Sequence, residues 1–160
     1  MKLLVCDVEG TLFKAIMKIE GTDYPSTMWQ PIASALGDAA ILEEQKTHEK
    51  WDNLEYNNYL DWVKASIEMH RKYGLKKDVF EGLIRKAEYN VGVEQFFKEL
   101  DRREWIPVLI SGGFQNLIRR AQNELDIEYG FGACEYYFDD FGYIEHYNIQ
   151  PSDFDGKIQF

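Results

Sequence analysis

Cysteine is scarce in this chain of 160 residues: there are two, Cys6 and Cys134. Each sits in an apolar stretch, so a disulfide framework is excluded and buried, reduced thiols are expected. Internal repeats, low-complexity tracts and Gly/Ser linkers are missing, and the length is that of one domain. No apolar run approaches a membrane span, and Met1-Lys2 leads into a strand rather than a signal peptide. The chain is therefore expected in the cytoplasm, away from membranes. Positive charge is in deficit: 18 Lys and Arg stand against 28 Asp and Glu, a net charge of −10. Such a surface repels nucleic-acid backbone, so no nucleic-acid partner is expected. An anionic substrate would have to be held by local positive charge or backbone N–H groups. The three histidines, His48, His70 and His146, have no metal-ligand spacing and are expected on the surface or in the core.

Aromatic residues are abundant. Ten Tyr, ten Phe and four Trp imply a large core, an aromatic pocket or a buried interface. Residues 2–7 read as a first strand. From Ala15 to Tyr89 the pattern is mostly helical. Thr27 and Gln30 have capping-box spacing, and Ala39 to Trp51 is polar and helix-friendly. Tyr56, Leu60, Val63, Ile67 and His70 form a stripe closed by Gly74. Asp78 and Glu81 suggest a second capping box ahead of Phe80, Leu83, Ile84 and Ala87. Val93, Phe96, Phe97 and Leu100 mark a further helix. Trp105 to Ile110 is a continuous apolar run, as in a parallel strand covered on both faces. Ser111-Gly112-Gly113 reads as the turn after it, and Phe114, Leu117, Ile118, Ala121 and Leu125 as the next helix. Tyr129 to Tyr147 reads as a hairpin turning at Asp139-Asp140-Phe141-Gly142. Alternating strands and helices make this an α/β chain with a parallel sheet.

In such sheets ligands bind beyond the carboxyl ends of the strands. Two ends carry reactive residues. Asp7-Val8-Glu9-Gly10-Thr11 follows the first strand, and Ser111-Gly112-Gly113 follows the 105–110 strand. Either alone is weak evidence. Together, separated by about a hundred residues holding a helical insert, they describe a carboxylate presented to a phosphate. The cap aromatics Trp29, Trp51, Tyr56, Tyr59 and Trp62 are expected in the cap core or an interface, with a substrate pocket as the alternative.

On these residues the chain resembles the haloacid-dehalogenase-like superfamily, nearest its phosphoserine-phosphatase-like branch with a cap inserted after the first motif. Leu3 to Leu12, Val91 to Leu125 and the hairpin running to Asp155-Gly156-Lys157 carry the resemblance. It implies a Rossmannoid core of residues 1–14 and 90–160 and a helical cap of residues 15–89. It further implies that Asp7 is the nucleophile and a Mg²⁺ ligand. Glu9 falls on the general acid/base position, where most relatives have Asp, and its backbone carbonyl would be another metal ligand. The enolase-phosphatase branch has an Asp-x-Glu-Gly-Thr motif like this one. Thr11, Ser111, Gly112 and Gly113 match the phosphate-binding set, with Gly10 shaping the turn. Lys157 is the best match to the third-motif lysine, with a solvated lysine in a hairpin turn as the alternative.

The chain departs from the family at its fourth motif, an acidic pair that supplies the remaining metal ligand, since nothing follows Phe160. The acidic pairs present, Glu43-Glu44 and Asp139-Asp140, are expected to be solvated. A C-terminally truncated sheet would leave the first strand with an unpaired apolar edge, an aggregation hazard. That edge is expected to be covered by a second copy, by a separate chain, or by a rearranged segment of this one. The functional expectation is a Mg²⁺-dependent phosphatase of a small phosphorylated metabolite, completed by oligomerisation or a partner. The alternatives are a non-catalytic binding or regulatory subunit, or one half of a split enzyme.

Overall fold

A computed structural model describes residues 1–15 and 27–150. Four strands, β1 (Lys2–Cys6), β2 (Trp105–Phe114), β3 (Tyr129–Phe138) and β4 (Ile144–Ile149), form one sheet in that order. The first three are parallel, and β4 returns antiparallel as a hairpin from β3. The sheet is thus mixed rather than wholly parallel. Asp139 builds the hairpin turn by accepting from the Phe141 and Tyr143 N–H groups, and Gly142 supplies its positive φ of 81°.

Helices α1 (Trp29–Leu36), α2 (Asp38–Asp52), α3 (Tyr59–Lys72) and α4 (Lys77–Lys86) occupy the segment between β1 and β2. Gln30 accepts from the Thr27 N–H, which is half of the expected capping box. Asn58 caps α3 by accepting from the Asp61 N–H. The second expected box does not form. Helix α4 starts at Lys77, which places Asp78 inside its first turn, where its carboxylate accepts from the Val79 N–H. Helix α5 (Val93–Glu99) precedes β2, and α6 (Gln115–Leu125) joins β2 to β3.

Ala33, Ala40 and Met69 form a small cluster among the first three helices. The larger hydrophobic cluster runs from Trp29, Ile67 and Phe80 to Leu109, Phe114 and Tyr136. Trp29 packs on Phe114 with ring centroids 4.7 Å apart, and Phe80 lies 5.3 Å from Tyr136. His70, fully buried, is within 2.8 Å of the Tyr136 hydroxyl through Nδ1.

Side chains alternate across the sheet. Leu109 and Gly130, in register, face α6. A Cβ on Gly130 would lie 2.5 Å from Ile118 Cγ2, so glycine is what lets the helix sit there. The opposite face carries Leu3, Val5, Ile106, Val108, Ile110, Tyr129 and Phe131. Leu3 and Val5 are 64 % and 57 % exposed. Among the described residues the β1 edge is unpaired, and Leu3 and Val5 beside it are exposed.

Among the described residues, no helix is long and apolar enough to cross a membrane. Cys6 and Cys134 are both free. Burial raises the pKa of each thiol, which keeps it protonated and unreactive.

Candidate active site

Strand β1 ends at Cys6, and the next seven residues form a tight loop. The Val8 carbonyl accepts from the Leu12 and Phe13 N–H groups, and the Gly10 N–H donates to the Phe13 carbonyl. Gly10 allows this with φ of 79°. Asn90 clamps the loop from outside, donating from Nδ2 to the Gly10 and Thr11 carbonyls. Asp7 is consequently held, exposed, at the C-terminal end of β1. The Thr11 hydroxyl donates to Asp7 Oδ2 at 3.0 Å, which fixes the carboxylate and leaves Oδ1 outward.

Glu9 turns inward. Its Oε1 accepts from the Met28 N–H at 3.1 Å, next to the start of α1. Burial, the largest cause, raises the Glu9 pKa to about 7; the Met28 hydrogen bond lowers it, and the Asp7 charge adds a smaller increase. A carboxyl group poised there can act as acid and base near neutrality.

Ser111, Gly112 and Gly113 are not a turn. They belong to β2, which runs on to Phe114, with α6 starting at once at Gln115. The apolar run signals the strand as far as Ile110; the three small residues give no extended signal, yet the strand continues through them, its register with β3 shifting between Ser111 and Phe114. Ser111 is buried, and its Oγ accepts from the Gly113 N–H at 3.0 Å. The hydroxyl proton is left to be donated into the site, while the Gly113 N–H is already committed. Gly113 has a further role. A Cβ there would lie 2.4 Å from Glu9 Oε2, so the glycine makes room for the Glu9 carboxyl.

Asp7, Glu9, Ser111, Gly112 and Gly113 line one cavity of about 560 Å³, whose far wall is Trp29, Trp51, Tyr59 and Trp62. The cap aromatics thus serve both as core and as pocket: Trp29 and Trp62 are buried, whereas Tyr56 packs on the core without lining the cavity. The Tyr59 hydroxyl donates to the Gly112 carbonyl, tying α3 to the end of β2. Sequence reasoning missed His48 and Asp52, on the last turns of α2, which also line the cavity. Only the three-dimensional placement of α2 brings them there. Lys157 lies outside the described residues.

Two expectations for the acidic pairs are corrected. Glu44 is buried rather than solvated, and it accepts from Gln30 Nε2 at 2.8 Å. Glu43 pairs with Lys72 and with the Tyr73 hydroxyl. Among the described residues no group of three or more His, Cys, Asp or Glu side chains is placed to hold a metal. The oxygen donors at hand are the Asp7 carboxylate and the Glu9 backbone carbonyl. They are hard ligands of the kind Mg²⁺ accepts when it keeps water and substrate oxygens for its other positions.

No protein-family profile matches the chain, and no curated protein matches it. Solved structures do. A phospho-aspartyl intermediate analogue of phosphoserine phosphatase superimposes with a TM-score of 0.69 at 18 % identity, over 99 % of this chain and 68 % of that one. The fold is haloacid-dehalogenase-like, of the phosphoserine-phosphatase type. A hydrolase of the same superfamily from Salmonella enterica serovar Typhi gives a TM-score of 0.69 at 13 % identity, over 92 % of this chain and 45 % of that one. Phosphoserine phosphatase from T. onnurineus gives 0.64 at 21 % identity, over 99 % and 68 %. The chain thus spans between 45 % and 68 % of the length of these structures.

Proposed function

We propose that this chain is a Mg²⁺-dependent phosphatase that hydrolyses a small phosphomonoester through Asp7. The observation that carries the reading is the juxtaposition of an exposed carboxylate, Asp7, and an inward carboxyl of pKa about 7, Glu9, on one cavity. Asp7 Oδ1 attacks phosphorus and the P–O ester bond breaks. The departing alkoxide takes the Glu9 proton and leaves as an alcohol, with the phosphoryl group on Asp7. Glu9, now a carboxylate, removes a proton from water as the water oxygen attacks phosphorus. Inorganic phosphate departs and Asp7 is regenerated. The Ser111 hydroxyl donates to a phosphate oxygen, and Gly112 and Thr11 shape the ground beneath it. Lys157 is assigned to offset charge by resemblance alone. Mg²⁺, held by Asp7 and the Glu9 carbonyl, supplies charge neutralisation for two anions that otherwise repel.

A covering chain is part of the reading. A second copy or a separate chain on the β1 edge would pair its free backbone groups and bury Leu3 and Val5. The same open face supports a second reading, a binding subunit without turnover. The chain's two free thiols suit a cytoplasmic setting.

The test is hydrolysis of p-nitrophenyl phosphate by the purified protein with Mg²⁺ and with EDTA, beside Asp7→Asn. Turnover that needs Mg²⁺ and drops at least about 10³-fold in the variant is expected. A stable protein with no turnover, alone or with added Mg²⁺, would favour the binding subunit.

A further inference from the structure

The part of the cavity remote from Asp7 has a chemistry of its own. Trp51, Tyr59 and Trp62 form a continuous aromatic wall, with ring centroids 5.4–5.9 Å apart. Trp51 and Tyr59 keep part of their surface open, so the wall offers ring faces rather than a sealed core. Among the described residues the carboxyl groups on the lining are Asp52 at this end and Asp7 and Glu9 at the other. His48 lies between, its Nε2 3.8 Å from Asp52 Oδ2. Among the described residues His48 Nδ1 and Trp62 Nε1 are buried without a partner, behind the cavity surface rather than on it.

We infer that the cavity takes phosphomonoesters of amino alcohols, with the substrate's ammonium or quaternary ammonium group against the Trp51–Tyr59–Trp62 wall beside Asp52. The inference rests on the phosphatase reading for the phosphate end. Ring faces attract cations, and the attraction grows when the site excludes water. A nearby carboxylate adds to it. A substrate such as phosphoserine carries an additional carboxylate, which Asp52 and the ring faces would repel. A nucleoside monophosphate could stack on the same rings, but its neutral base gains nothing from Asp52.

Binding and turnover test this separately. Tryptophan fluorescence would be titrated with choline and with 3,3-dimethylbutan-1-ol, its neutral isostere. Choline is expected to bind at least tenfold tighter, and Asp52→Asn to erase most of that preference. Trp51→Phe should retain choline binding and Trp51→Leu should lose it, a distinction that packing alone would not produce. In turnover, kcat/KM for phosphocholine or phosphoethanolamine should exceed that for O-phosphoserine and for AMP by tenfold or more. Choline preference without hydrolysis of any phosphate would uphold the cation site and overturn the phosphatase reading. Hydrolysis with no preference for choline over its isostere, or with AMP or O-phosphoserine preferred, would overturn the cation site and leave the phosphatase reading standing.

Discussion

Gly113 and Glu9 are a matched pair, and each constrains what the other can be. The Glu9 carboxyl is anchored at one end by the Met28 N–H and lies over the bare Cα of Gly113. In Gly113→Ala the new methyl displaces that carboxyl. The carboxyl is the far end of a flexible side chain, so stability should change by only about 1 kcal/mol. Turnover should fall by about 10²-fold, the contribution of a positioned acid and base. Steady-state kinetics beside thermal melts would show the separation. Glu9→Gln should lose turnover to a similar extent while keeping the Met28 hydrogen bond, read by the same assays. The place of Asp7 just beyond a strand end is legible in the sequence because an apolar run leads to it; Ser111, expected as the start of a turn, lies within β2. The pairing of Glu9 with Gly113 is not legible, since it depends on the loop after β1 meeting the last residues of β2 across more than a hundred residues. Asn90 is likewise invisible: an Asn before a helix reads as a turn residue, and nothing local says that its amide holds the Asp7 loop.

The helices report how the insert is fastened. Arg120 on α6 donates to the Ile84 and Ala87 carbonyls, each at 2.6 Å, and so caps α4 from a different part of the chain. Its guanidinium also lies 5.3 Å from the Phe13 ring and 5.7 Å from that of Tyr89. Arg120→Ala should cost about 2–3 kcal/mol, because it leaves partly buried carbonyls unpaired and removes a cation from two ring faces. Chemical denaturation would measure it, and Arg120→Lys should recover less than half, for want of the planar fork. Helix α3 holds a pH-sensitive contact. Burial lowers the His70 pKa from 6.5 to about 3, among Trp29, Tyr136 and the neighbouring apolar side chains. The unfolded chain therefore takes up a proton between these values that the folded chain refuses. Stability from this source is complete above pH 6.5 and declines as pH falls toward 3. The melting temperature of His70→Gln should fall less steeply over that window than that of the parent. The α3 stripe itself was legible from its spacing. The start of α4 was not, because Asp78 and Glu81 fit a cap equally well one register away.

At the scale of the whole molecule, one side of the sheet stands out among the described residues. Leu3 and Val5 lie on the edge strand, and Ile106, Val108 and Ile110 lie beside them on the same face. Paired Leu3→Lys and Val5→Lys substitutions should shift light scattering toward the monomer and raise solubility, since charged edges resist strand addition. If the covering chain also completes the site, the same variant loses turnover, and the two losses should track each other across protein concentration. The resemblance leads to an expectation of an unpaired edge on the first strand. The exposure of Leu3 and Val5 is not legible, because an apolar strand reads alike whether one side is covered or both. The shared core has a different implication. Trp29 against Phe114 and Phe80 against Tyr136 weld the helical insert to the sheet. A hinge that swung the insert aside would have to tear that seam. On the proposed phosphatase reading, access to Asp7 would then be governed by the mouth of the cavity, and the chain would act as a sieve, turning away bulky phosphoesters by size before their charge is ever tested.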